Sequence, residues 1–223
     1  MRRLCVLLGA ERVYREMASI LMEENNAEFV GIMIQALNLI LLTSTETAEL
    51  RLALKASLSN RNAAAFFTAL FPSWCHSAVA AISLCLLAQA YGPASRVVAS
   101  LGDVDTTVDL LVQARPSGAL HWQLLTPWRQ VDQLVQLLET PCFTFLRLQL
   151  LEPAEHPQLL KTLFGLLLLL PQSTAFNTLS ARLACVSQLV ALQPHYAKEE
   201  TAVQHGTDLL ATFRAVQARR RTD

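Results

Sequence analysis

The feature that most constrains this chain is its punctuation. From Leu4 to Leu192 one apolar segment follows another, and each is cut by a proline, a glycine or a short polar cluster. The cuts include "SNRN" at 59–62, Pro72 with Ser73, Gly92 with Pro93, Thr140 with Pro141, Pro153, Pro157 and Pro171. Proline is tolerated in the first turn of a helix and stops one elsewhere, so these positions mark helix starts and ends. Leu supplies 43 of 223 residues against 7 Gly and 9 Pro, a balance that favours helices and starves hairpins. The pattern predicts an all-α chain of about a dozen helices in the rhythm of stacked antiparallel helix pairs, not of a four-helix bundle.

Along the chain, Leu4, Leu7 or Leu8, Val13 or Tyr14, Met17, Ile20 and Leu21 lay one apolar stripe on a single first helix. Phe29 to Leu42 is apolar on nearly every side apart from Gln35 and Asn38, so it belongs between neighbours. Glu46 to Leu58 and Ala63 to Phe71 form a third and fourth helix, closed by Pro72 and Ser73. Ser77 is a good N-cap for "AVAAISLCLLAQAY", and Asp105 for "TTVDLLVQA". "CFTFLRLQLLE" and "QLLKTLFGLLLLL" are bounded by prolines, and Ser173 starts the next helix. Residues 1–192 read as one helical domain, and 193–223 as a polar linker and a C-terminal amphipathic helix. The segment 115–130 carries Pro116, Gly118 and Pro127 with Trp122 and Trp128, and reads as an inserted loop between two V-D-x-L-V-Q stretches. No repeat consensus is sharp along the chain.

Charge excludes some function classes. Lys plus Arg equals Asp plus Glu at 18 each, so no net field attracts nucleic acid or an anionic membrane. The five Cys are odd in number and never form C-x-x-C, which argues for reduced thiols over a disulfide frame or zinc ribbon. "LFGLLLLL" stops at Pro171, far short of the ~20 residues that span a bilayer.

The chain contains no G-x-S-x-G, no phosphate-cradling glycine cluster, no C-x5-R and no H-E-x-x-H, so no catalytic, cofactor-binding or metal site is expected. "WCHS" sets Trp74, Cys75 and His76 side by side, with Cys85 ten residues on. Adjacent positions on a helix diverge by about 100°, so these groups do not converge as four zinc ligands. The packing reading takes Trp74 between helix pairs, Cys75 and Cys85 as small core residues and His76 flanking the turn. Arg147 lies in an otherwise apolar helix, where a guanidinium needs an ion pair, a carbonyl contact or a partner protein. Alternatives to a binding module are a cysteine-dependent hydrolase using Cys75 or Cys142 with His76, and a peripheral membrane helix at 208–221.

At "LFPSWCHSAVAAISLCLLAQAY", "PCFTFLRLQLLEP" and "LLKTLFGLLLLLPQSTAF" the chain resembles the C-terminal part of the PIKfyve-complex scaffold family, also called ArPIKfyve. "LCVLLGAERVYREMASIL" and "DLLATFRAVQ" extend the resemblance to both ends. It implies a HEAT-like α-solenoid and a non-enzymatic scaffold. Such a scaffold self-associates and holds a Sac-domain phosphoinositide phosphatase beside the PIKfyve lipid kinase, regulating phosphatidylinositol 3,5-bisphosphate on endosomal, lysosomal or vacuolar membranes. Within those motifs Trp74, His76, Arg147 and Gln149 are the candidates for partner binding. The chain begins inside the family pattern without the long N-terminal HEAT arm, as a fragment or truncated isoform would.

Overall fold

A computed structural model describes residues 2–57, 60–102, 127–192 and 205–222. Every regular element among them is helical, and the chain divides into two compact units, Met1–Pro93 with Gln204–Asp223, and Ala94–Val203. The first unit holds α1 (Arg2–Leu8), α2 (Ala10–Glu23), α3 (Ala27–Thr43), α4 (Ala48–Lys55), α5 (Arg61–Trp74) and α6 (Ala78–Leu87). α7 (Tyr91–Ser100) begins at its edge. The second unit continues with α8 (Pro127–Leu138), α9 (Thr144–Gln149), α10 (Pro157–Leu169) and α11 (Thr174–Leu192). α12 (His205–Thr222) returns to the first unit.

The expected single first helix is two. Gly9 sits at φ 82°, a left-handed conformation open to glycine, and breaks the stripe between Leu8 and Ala10. Val13, Tyr14, Ala18 and Leu21 of α2 face the core, while Leu7 and Leu8 of α1 are left exposed. α3 is less enclosed than expected, since Phe29 and Leu39 reach the surface. α5 runs through Pro72 to Trp74 instead of closing at Phe71. The proline falls in the last turn, and the carbonyl it leaves unserved belongs to the exposed Thr68. α8 likewise begins at Pro127, in the position a helix start prefers, so the final residues of segment 115–130 are helical. The rest of that segment, with Asp105, lies outside the described residues.

A repeat emerges once the helices are in place. A shift of 96 residues carries Ser44 onto Thr140, Leu50-Arg51-Leu52 onto Leu146-Arg147-Leu148, Arg61 at the start of α5 onto Pro157 at the start of α10, and Ser77 onto Ser173. Each copy reads long helix, 3-10 turn, short helix, helix, serine-capped helix. α3 packs on α6 and α5 on α6 in the first unit, and α8 on α11 and α10 on α11 in the second. Burial follows the same register: Ala63, Phe66, Phe67 and Leu70 are buried in α5, as are Leu159, Thr162, Leu163 and Leu166 in α10. Ser77 Oγ accepts the amide of Ala80 at 3.4 Å, and Ser173 Oγ that of Phe176 at 3.2 Å, each satisfying an orphan N–H at a helix start.

Candidate functional site

The Trp74-Cys75-His76 corner joins α5 to α6 and is built on a polar centre at Asn38. Trp74 is fully buried, its ring centroid 6.1 Å from that of Tyr14. Its indole N–H donates to Asn38 Oδ1 at 3.3 Å, and Ser83 Oγ donates to the same oxygen at 2.8 Å. Tyr14 donates its hydroxyl to the Leu37 carbonyl at 3.0 Å. An indole buried in a helical core needs such a partner, and Asn38 of α3 supplies it. The corner is also held from outside its own sequence neighbourhood: Gln217 Nε2 of α12 donates to the Cys75 carbonyl at 2.6 Å. Phe213 and Val216 of α12 are buried, and α12 packs on α5.

Chemistry at this corner is disfavoured by its burial. Cys75 and Cys85 are both fully buried, and loss of solvation pushes both thiols up, with Cys85 adding to the effect on Cys75. A thiol held protonated is a poor nucleophile and a poor metal ligand. Among the described residues no three His, Cys, Asp or Glu side chains stand close enough to hold a metal ion. No single described helix is long and apolar enough to cross a membrane.

Of the four candidate residues, Trp74 and His76 belong to the first unit and Arg147 and Gln149 to the second. His76 is half-buried at the corner, and Gln149 is half-buried at the end of α9. Arg147 closes the end of α8: Nη1 donates to the carbonyls of Leu138 and Thr140, and Nη2 to Thr144 Oγ1 at 3.2 Å. The carbonyl contact weighed from the sequence is the one observed. Arg51, its counterpart, was not singled out by the sequence. Its Nη1 donates to the carbonyls of Leu41 at 2.8 Å and Ser44 at 2.6 Å, and to Thr47 Oγ1 at 2.8 Å. The signal that would have revealed it is the shared Leu-Arg-Leu at the 96-residue shift.

The described residues form packed helices, and comparison with known proteins identifies the family. The family profile described as "Vacuolar protein 14 C-terminal Fig4p binding" matches residues 1–116 and 122–186. The chain belongs to this family. The break at 117–121 falls inside the segment 115–130. A "Protein VAC14 homolog" of Arabidopsis thaliana is 55% identical over 186 residues, covering 83% of this chain and 23% of the relative. The "Protein VAC14 homolog" of Schizosaccharomyces pombe is 39% identical over 220 residues, covering 97% and 25%. The "Vacuole morphology and inheritance protein 14" of Saccharomyces cerevisiae is 40% identical over 183 residues, covering 82% and 18%. The chain thus spans a quarter or less of the length of these relatives. No solved structure gives a significant match.

Proposed function

We propose that this chain is a non-enzymatic scaffold module that binds a Sac-domain phosphoinositide phosphatase of the Fig4 type. The observation that carries the reading is the match of nearly all of residues 1–186 to a family described by its Fig4p binding. Burial, which pushes the Cys75 and Cys85 thiols up, makes these two poor nucleophiles. In this reading the module self-associates, and the phosphatase is brought beside a PIKfyve-type lipid kinase. The assembly sets the level of phosphatidylinositol 3,5-bisphosphate on endosomal, lysosomal or vacuolar membranes, which it meets peripherally. Size-exclusion chromatography with light scattering tests it. The purified chain and a purified Sac-domain phosphatase should co-elute as one species of defined mass; a helical, monodisperse chain that fails to co-elute overturns the reading.

A further inference from the structure

α12 is held on the first unit far more lightly than the helices at that unit's centre. Every residue of α6 from Val79 to Leu87 is buried, and α5 buries Phe66, Phe67, Leu70, Phe71 and Trp74 along most of its length. Among the described side chains of α12, Phe213 and Val216 are buried and Leu209 and Leu210 half-buried, while Ala211, Arg214, Ala215, Ala218 and Arg219 are exposed. The two buried side chains and Gln217 lie three and four residues apart, so they share one face within a single turn. Gln217 Nε2 donates to the Cys75 carbonyl at 2.6 Å, but water can take the amide's place there, so the net hold of that bond is small. A second, independent observation points the same way. The family profile takes in all of α1 to α6 and ends at residue 186, before α12 begins.

We propose that α12 is a detachable strap on α5. It leaves as one helix when the turn from Phe213 to Gln217 lifts, and α2 to α6 stay folded beneath it. The free energy of a local opening follows the buried apolar contact that the segment gives up, and α12 gives up little next to α5 or α6. Because its fully buried anchors sit in one turn, the opening is a single event and not a gradual fraying from the end. The fold thereby carries two states of the Trp74-Cys75-His76 corner. In one the Cys75 carbonyl is capped and α12 lies on α5; in the other both meet water, and whatever prefers either state shifts the balance between them. This inference does not depend on the phosphatase-binding reading.

Amide hydrogen exchange of the full chain tests it. In the wild type, amides at 209–219 should exchange at least about a hundredfold faster than those at 79–87, and at one common rate along the helix. Phe213→Ser should bring 209–219 to the rate of unstructured peptide and leave 79–87 as protected as in wild type. Gln217→Ala should speed 209–219 by only a few fold, roughly what loss of a replaceable hydrogen bond allows. Wild-type amides in α12 as slow as those in α6 overturn the proposal, since the helix would then open only with the whole unit. So does a graded rise in rate toward residue 219 with 213–217 still protected, which is fraying, and so does a Phe213→Ser chain that loses protection at 79–87 as well. If that variant does not fold, the wild-type rates and the Gln217→Ala variant decide by the same comparisons.

Discussion

Residues 41–54, "LLTSTETAELRLAL", and 137–150, "LLETPCFTFLRLQL", close a long helix in the same way with different parts. In both, a 3-10 turn follows the helix and an arginine from the next short helix reaches back to its last carbonyls. Those carbonyls have no intrahelical partner, and a charged donor inside the fold satisfies them. The hydroxyl that steadies the guanidinium moves by one position, from Thr47 to Thr144, because Phe143 occupies the first copy's threonine site and is buried there. What is held fixed is the arginine; what varies is the packing around it. The difference teaches that the backbone problem, and not the side-chain environment, sets which residue recurs.

The largest expected contrast lies at the corner. Trp74→Ala should destabilise the chain by about 3 to 5 kcal/mol, because it removes a fully buried indole and leaves Asn38 short of a donor. Leu170→Ala, at the equivalent site of the second copy, should cost about 2 kcal/mol. Urea midpoints compare the two; equal losses would break the claim that the copies are specialised at this corner.

Next come the arginines. Arg51→Ala and Arg147→Ala should each cost about 2 kcal/mol, toward the lower part of the range for charged hydrogen bonds because both guanidiniums are half-buried. Similar losses in thermal unfolding would confirm that they do one job, whereas a neutral Arg147→Ala would leave only the first copy dependent on its cap.

Much of this architecture was legible in the sequence, for a physical reason: proline, serine caps and apolar runs act locally. Ser77, Ser173, Pro157 and Pro171 all bound helices where they were expected to. The break at Gly9 was not legible, because the apolar stripe runs across it and only the backbone conformation separates α1 from α2. The repeat was hidden because six of the fourteen paired positions are identical, five of them leucines in a leucine-rich chain. The link from Gln217 to Cys75 joins residues far apart in sequence, which no periodicity reports.

A smaller effect is expected at a helix contact that the second unit makes and the first does not share in sequence. Gly165 occupies the position of Ala69, and a Cβ there would meet Val98 Cγ1 of α7 at 2.5 Å. Valine is stiff about χ1, so the contact cannot be relieved by a simple swing of the side chain. Gly165→Ala should therefore destabilise by about 1 to 2 kcal/mol despite the better helix propensity of alanine. Ala69→Gly should cost about 1 kcal/mol from propensity alone, since Ala69 is exposed. A more stable Gly165→Ala variant in calorimetry would show that α7 and α10 have room to part.

The smallest effect should be at the leucine after each arginine. Leu52 is 64% exposed and Leu148 60%, a near match across the repeat, while the leucines two positions on, Leu54 and Leu150, are buried. The alternation follows from the short helix: Leu50 and Leu54 fall on one face four residues apart, as do Leu146 and Leu150, and the leucine between them points away. A side chain left in water contributes little to folding, so Leu52→Gln and Leu148→Gln should each change stability by no more than about 0.5 kcal/mol. Melting curves of the two variants test the equivalence directly. A loss above about 1 kcal/mol in only one of them would mean that its leucine is covered in solution, by another copy or by chain beyond the described residues, and that the copies differ on the face where they look most alike.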